Sequence, residues 1–505
     1  MLGQLTDWTE VLVAVDVGTS GARAAAFDLE GLRRMEVRRP YPTRSPRPGW
    51  AEQDPAAWRG AALSALAELV RRLGPHRRVL SIGLTGQCPS VCLVDDRGRP
   101  LGPGLIYRDN RAEAEAMAIR RRFGDAWMHD RTGHLPAAFH IAPKLLWIRA
   151  HEPAWLSEAA LALQPRDLVA LALTGEAATD GTHAAATLVY DLRAGDWDAE
   201  LAGDLGLPAS LFPPVRASWE PVGALRGRLA ERLRLPAGTP VVLGGADSQA
   251  CALGAGVVSP GPVSEMAGSS TCLNAAVPQP LGELLVTHYP HVVAGPYTTE
   301  TGINTTGAAA AWVADLLYAG RRAHAGGAEY ERLDGEVAQV PPGSDGVLAL
   351  PVFGDGERTD PDLRAAITGL SLRHGRAALA RAVLEGVAFT IRSQLALLTA
   401  GGAAVTELRV SGGDARLRTW NRIKADVTGL PVATVPGDAA VTGVAMLAGL
   451  GARVYRDVPE AIDRCVRFAD RFEPDPATGE AYEDAYAAFQ GLMAAEVARR
   501  HERPA

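Results

Sequence analysis

The sequence predicts an α/β protein of two large domains, on three observations. Short β-branched runs alternate with apolar stripes at helical spacing along the whole chain. The 505 residues exceed what a single core supports. A glycine–hydroxyl turn follows a strand twice, about half a chain apart, at Gly18-Thr19-Ser20 and at Gly268-Ser269-Ser270-Thr271. That recurrence points to a duplicated architecture in which each half offers a loop to one ligand.

Taken in order, Val11 to Val17 is a β-branched run that reads as a buried strand, and Ala22 to Phe27 reads as the second arm of a hairpin. Tyr41 to Pro55 is a loop ending in Asp54-Pro55, an N-cap and first-turn proline for a helix carrying Trp58, Leu63, Leu66, Leu69 and Val70. Val79 to Leu84 is a strand broken by Gly86-Gln87-Cys88-Pro89-Ser90, and Val91 to Val94 resumes it. Helices follow at Ala112 to Arg122, around Pro143 to Arg149, and from Pro165 to Thr174. Residues 203–240 read as an irregular connection rich in Pro and Gly. Val241 to Leu243 is a strand running into Gly244-Gly245-Ala246-Asp247, with a helix starting at Ala250. The second half reads as a strand at Val263 to Ala267, an Ala-rich helix after Thr305-Thr306-Gly307, and a strand at Leu348 to Phe353. A long helix follows from Arg376 to Leu398, with Leu379, Val383, Val387, Ile391 and Leu395 on one stripe. Leu408 to Val410 feeds Ser411-Gly412-Gly413-Asp414, and helices and a strand alternate from there to a final amphipathic helix at Glu480 to Arg499.

Composition narrows the function. Apolar and charged fractions of 47% and 22% are those of a globular protein, and a net charge of −7 argues against a nucleic-acid surface. Lys144 and Lys424 are the only lysines; the arginine excess is a compositional bias. No window reads as a membrane span, and Met1 to Glu10, with Asp7 and Glu10 and no basic residue, does not read as a signal peptide. Five cysteines, with no metal-site or framework spacing, fit a reducing cytoplasm. A P-loop lysine, a protein-kinase signature, a dinucleotide glycine fingerprint and a nucleophile elbow are all missing.

The glycine turns carry the chemistry. Their backbone N–H groups can approach an anion, and Thr19 and Ser20 add hydroxyls; the plainer reading is an ordinary tight turn. Asp16, just ahead of the first turn, is placed to hold Mg²⁺ directly or through water. Asp247, between a strand end and a helix, is the candidate general base for a substrate hydroxyl attacking a γ-phosphate, or else a cap of the Ala250 helix.

These motifs, in order, resemble the FGGY carbohydrate kinases, and among them the xylulokinase-like branch. The likeness rests on Asp16-Val17-Gly18-Thr19-Ser20, Ala142-Pro143-Lys144-Leu145-Leu146-Trp147, Gly244-Gly245-Ala246-Asp247 and Gly268-Ser269-Ser270. Gly356-Glu357-Arg358-Thr359, Gly369-Leu370-Ser371-Leu372 with Leu384-Glu385-Gly386-Val387-Ala388-Phe389, and Ser411-Gly412-Gly413 complete it. The resemblance implies two actin-like (ribonuclease H-like) domains with an ATP cleft between them: residues 1–250 on the sugar side and 251–505 on the nucleotide side. It implies ATP and Mg²⁺ and transfer of the γ-phosphate to a hydroxyl of a ketose, such as the pentulose xylulose, or of a polyol. Gly18, Thr19, Ser20 and Arg23 match the first phosphate loop, Gly268 and Ser269 the second, Gly307 a further nucleotide contact, and Gly412 and Gly413 the adenosine contact. Asp247 matches the catalytic base and Asp16 the carboxylate near the metal. The chain departs from the family at the sugar. Xylulokinases read Gly-Gln-Met-His-Gly where this chain has Gly86-Gln87-Cys88-Pro89-Ser90, and the usual Trp before the sugar-facing Asp is Tyr107 in Tyr107-Arg108-Asp109. Gln87, Cys88, Pro89, Asp109 and Asp247 are the expected sugar-side residues, with a solvated helix start as the alternative for Asp109. Expected partners are a small sugar or polyol, and a homodimer; nucleic acid and membrane are not expected. The rival function is an actin-like ATPase or sugar-sensing binding protein that phosphorylates no sugar.

Overall fold

A computed structural model describes residues 8–320, 324, 326–354, 356–357 and 363–501. Of the motif residues, Arg358 and Thr359 lie outside the described residues, as do Asp355 and Asp7. Two compact units are formed. The first holds the chain up to Val258 together with Val277–Thr299 and Ala440–Val466; the second holds Ser259–Ala276, Glu300–Ala439 and the chain from Arg467 on. Two later segments thus return to the first unit.

The first unit is built on a six-stranded sheet. Its strands are β1 (Glu10–Val17), β2 (Gly21–Phe27), β3 (Arg33–Pro40), β4 (Arg78–Gly86), β5 (Pro221–Ala224) and β6 (Pro240–Val242), in the order β5-β6-β4-β1-β2-β3. β1 and β2 form the expected antiparallel hairpin, while β1 pairs parallel with β4 and β4 with β6. Both faces of β1 are covered, which is why it reads as a continuous apolar run and not an alternation. Val11, Val13, Val15 and Val17 pack in one cluster with Trp58, Leu66 and Leu69 of helix α1 (Pro55–Leu73). Leu12 and Ala14 point the other way, into a cluster with Val441, Val444 and Leu447. Asp54 caps α1 as expected, its Oδ1 accepting from Ala56 N at 2.9 Å, with Pro55 in the first turn.

The segment read as irregular, 203–240, contains ordered pieces: strands Val215–Arg216 and β5, and a helix at Gly227–Leu233. Each is only two to seven residues long, so local periodicity is too brief to register.

The second unit repeats the pattern of the first. Strands β7 (Gly261–Ala267) and β8 (Thr271–Val277) make an antiparallel hairpin, and β7 pairs parallel with β9 (Val405–Gly412). β10 (Val432–Thr434) and β11 (Arg471–Phe472) extend the sheet in the order β8-β7-β9-β10-β11. In both units the hairpin's first strand pairs parallel with a later strand, and a glycine–hydroxyl turn joins the hairpin arms. The turns differ in length: Gly18 N donates to Gly21 O at 3.1 Å, three residues on, whereas Gly268 N donates to Ser270 O at 3.0 Å, two residues on.

One described helix, Arg376–Ala400, is long and apolar enough to cross a membrane by length and composition, where the sequence reading found no such run. It is a core helix: 61% of that window is buried within the unit, and the helix packs against Gly307–Tyr318 and Arg418–Thr428.

Candidate active site

In the first unit, parallel pairing lines up three strand ends. Asp16 of β1 is opposite Thr85 of β4, Val17 is opposite Gly86, and Gly86 bridges to Ala246. Asp16, Gln87 and Asp247 thus leave the C-terminal ends of adjacent parallel strands, the edge where open α/β sheets bind ligands.

The Gly18 turn is braced from below. Tyr41 donates its hydroxyl to Gly18 O, and burial, with the Asp16 charge adding to it, pushes that hydroxyl far above its usual pKa, so it remains a donor. Gln53 donates to Thr19 O at 2.7 Å, and Gln53 Oε1 accepts from Trp58 Nε1 (2.7 Å) and Gln87 Nε2 (2.8 Å). Gly18 and Thr19 are half-buried and Ser20 exposed, so the rim of the turn faces solvent. Arg23 lies across from Asp16 on β2 and its Nε donates to Asp16 Oδ2 at 2.8 Å, so the two residues expected on phosphate and metal touch each other.

Asp247 is the first residue of helix α2 (Asp247–Gly254); Ala246 is the N-cap position and makes no side-chain cap bond. Asp247 therefore sits in the first turn of the helix and not at its N-cap position. Its Oδ1 accepts from Ser248 N at 2.8 Å, and the side chain is half-buried. The turn before it is held by a buried network. Arg166, fully buried, donates to Leu243 O (2.6 Å) and Gly244 O (3.2 Å) and to Asp180 Oδ1 (2.8 Å). Asp180 Oδ2 accepts from Thr182 Oγ1 (2.7 Å) and Ser218 Oγ (2.8 Å), and Thr182 Oγ1 in turn accepts from Ala246 N at 2.8 Å. Burial pushes the Asp180 carboxyl up, but Arg166 and the His183 and Thr182 hydrogen bonds outweigh it and hold it well below the usual carboxylate range. Thr85 Oγ1 donates to Gly245 O at 2.7 Å. Gly244 needs its positive φ of +68°, and a Cβ there would meet Leu84 O at 1.8 Å.

The expected sugar-side residues divide. Gln87 is buried; its Nε2 is committed to Gln53 and, at 3.4 Å, to Gly18 O, while its Oε1 has no hydrogen-bond partner among the described residues. Cys88 is half-buried and Pro89 buried, joined by a cis peptide. Asp109 is fully buried, not on a solvated helix start. It accepts from Ala51 N (2.6 Å) and from Arg111 Nε (2.8 Å) and Nη2 (2.7 Å). Arg111 also reaches Glu52 at 2.7 Å and lies 3.6 Å over the Trp50 ring. Lys144 sits nearby, donating to Ile106 O and Phe139 O at 2.7 Å each; burial lowers its pKa to about 7 against the opposing pull of Asp109.

In the second unit three backbone segments converge. Gly307 N, at the start of helix α3 (Gly307–Tyr318), donates to Gly268 O at 3.1 Å, and Thr306 N and Ala308 N donate to Ser269 O at 3.1 Å each. Register places Ala267 opposite Gly412, whose φ is +99°. Gly268, Ser269 and Gly413 are exposed, Gly307 and Gly412 half-buried. The residues sequence reasoning missed are the supports: Tyr41, Gln53, Thr85, Arg166, Asp180 and Thr182. Only Asp180-Gly181-Thr182, an Asp followed by a hydroxyl two residues on, carries a local signal.

No group of three or more His, Cys, Asp or Glu among the described residues could hold a metal ion by itself. Asp16 is a single carboxylate, 8% exposed, at the base of a phosphate-type turn; that donor set suits Mg²⁺, which is commonly bound by one or two carboxylates plus a substrate's phosphates.

Glycine–hydroxyl turns that follow a strand occur in both α/β units, and in the first unit strand-end carboxylates lie beside one, an arrangement compatible with phosphoryl transfer. The comparisons with known proteins agree. The model of the FGGY family of carbohydrate kinases, N-terminal domain, matches residues 11–254, and that of its C-terminal domain matches residues 264–452. A glycerol kinase of Leptothrix cholodnii is 34% identical over 475 residues, covering 89% of this chain and 92% of its own, and a xylulose kinase of Bacillus subtilis is 26% identical over 488 residues, covering 95% and 96%. The crystal structure of a xylulose kinase from Rhodospirillum rubrum superposes with a TM-score of 0.89 at 34% identity, covering 97% of this chain and all of that one. The chain belongs to the FGGY family of carbohydrate kinases and is an ATP-dependent sugar kinase.

Proposed function

We propose that this kinase transfers the γ-phosphate of ATP to a hydroxyl of a ketose, a pentulose such as xylulose first among candidates, or of a related polyol. The observation that carries this reading is the placement of Asp247 at a helix start beside the ends of β4 and β6, with its turn anchored by Arg166 and Thr182. Asp247 accepts the proton of the attacking hydroxyl. Gly18, Thr19, Ser20 and Arg23 hold phosphate in one unit; Gly268, Ser269 and Gly307 do so in the other, where Gly412 and Gly413 lie against the adenosine. Charge developing on the transferring group is met by the polar groups of these turns, and electrostatic stabilisation of that kind is the largest source of catalysis in phosphoryl transfer. Asp16 would hold Mg²⁺, and the ion would offset the negative charge of the phosphates. On the sugar side, Gln87 offers a buried carbonyl acceptor with no hydrogen-bond partner among the described residues, Cys88 and Pro89 shape the wall where xylulokinases carry Met-His, and Asp109 acts with Arg111. Similarity to xylulose kinases and to a glycerol kinase supports a polyhydroxylated acceptor. A cytoplasmic homodimer is part of the same reading.

A panel of pentuloses, hexuloses and polyols in a coupled ADP-release assay tests it. At least one pentulose or polyol is expected to stimulate ADP release strongly; release that no acceptor changes would sink the proposal and favour a simple ATPase.

Gly307 gives a second check. A Cβ at this position would lie 2.2 Å from Gly268 O, a backbone atom, so Gly307→Ala must push the start of α3 away from the turn. Misplacement of that size costs up to about 10²-fold, and kcat/KM for ATP is expected to drop by that order while the circular dichroism spectrum stays unchanged. A variant with wild-type kcat/KM would remove Gly307 from the nucleotide contacts.

A further inference from the structure

Asp414 sits where the three backbone segments of the second unit meet, and no role in the reaction has been given to it. It follows the Gly412-Gly413 turn, and its Oδ1 would be 3.3 Å from a Cβ built on Gly307. The side chain is 9% exposed. Its Oδ2 has no hydrogen-bond partner among the described residues: Lys424 Nζ is 3.8 Å away, because that ammonium donates instead to Glu265 Oε1 on β7. Glu265 Oε2 is likewise without a partner. Two buried carboxylates therefore share one ammonium, leaving a net negative charge directly beneath the turns. The other titratable groups around Asp414 are Tyr330, on the helix Gly327–Val337, which feels the Asp414 charge, and Arg416 on its own segment, which is exposed.

We propose that Asp414 is a proton acceptor linked to nucleotide binding: it takes up a proton from solvent when the phosphates of ATP or ADP settle on the Gly268-Ser269 turn. The inference rests on the reading of that turn as a phosphate contact. A buried carboxylate that shares its one ammonium with a second carboxylate is driven toward its neutral form by an arriving polyanion, since like charges disfavour ionisation. Burial already pushes the Asp414 carboxyl up to about 6, Lys424 opposing and Glu265 adding to the rise. A bound polyanion raises it further, so the two states differ in bound protons above pH 6. Nucleotide affinity then falls as pH rises through that window, by at most tenfold per pH unit for one linked proton.

The test is calorimetric titration of ADP into the whole enzyme near pH 7, in buffers of low and high ionisation enthalpy, for wild type and Asp414→Asn. The nucleotide's own protons are common to both proteins and cancel in the difference. Wild type is expected to take up a fraction of a proton more than the variant, and the variant to bind ADP at least as tightly, with a flatter pH dependence. ADP binding with equal proton uptake in both proteins overturns the proposal alone. No ADP binding to wild type overturns the phosphate-turn reading and the proposal with it. Should Asp414→Asn misfold, carboxyl ¹³C NMR of wild type decides: Asp414 must titrate at higher pH with ADP than without, and an unchanged midpoint overturns the proposal.

Discussion

Asp247→Asn lowers kcat for sugar phosphorylation by roughly 10²–10⁴-fold, the range a positioned general base contributes, and leaves KM for ATP within a few fold. The substitution preserves the size of the side chain and the acceptor for Ser248 N, so the start of α2 is expected to stay in place. What is lost is the basic oxygen. The effect falls on kcat because the interaction is made as the hydroxyl proton leaves, not when ATP binds. Steady-state kinetics with the best acceptor of the panel reads it. A variant within threefold of wild type would exclude Asp247 as the base.

The largest stability effect is expected from Asp180→Ala. Asp180 and Arg166 are both fully buried, and Arg166 Nη2 donates to Asp180 Oδ1 at 2.8 Å. Removing one partner of a buried pair costs up to about 3–5 kcal/mol; here Asp167, 3.0 Å from Arg166 Nε, stays as a second carboxylate and limits the loss. Thr182 and Ser218 lose an acceptor at the same time, and the Gly244–Ala246 turn loses its anchor through Thr182. Because the Asp180 carboxyl is held below its unfolded pKa, its stabilisation is fully present at neutral pH. It is lost only as pH falls through the ordinary carboxylate range toward the lower folded value. Urea unfolding at pH 7 reads the loss; a change under about 1 kcal/mol would show that the network contributes little.

Much of the site was legible because its signals are local. A β-branched run followed by Gly-Thr-Ser announces the hairpin and turn, and Asp54-Pro55 announces a helix start within two residues. The likeness of the two glycine–hydroxyl turns proved to be the likeness of two three-strand units. What stayed hidden is held together across long stretches of chain. Arg166 meets Asp180 and Leu243, Lys424 meets Glu265, and Gln53 meets Thr19 and Gln87; no spacing rule links such residues. Asp109 shows the same limit. Next to Arg108 and Asn110 the sequence leaves a solvated helix start open as the alternative to a sugar contact, yet Arg111, stacked on Trp50, folds back over Asp109 and takes it out of water.

The fate of the γ-phosphate tests the central claim most directly. ATP labelled at that position, incubated with enzyme and the preferred acceptor, is expected to yield label in a phosphate monoester of the sugar. Label found only as inorganic phosphate, at a rate that the acceptor leaves unchanged, would contradict the account.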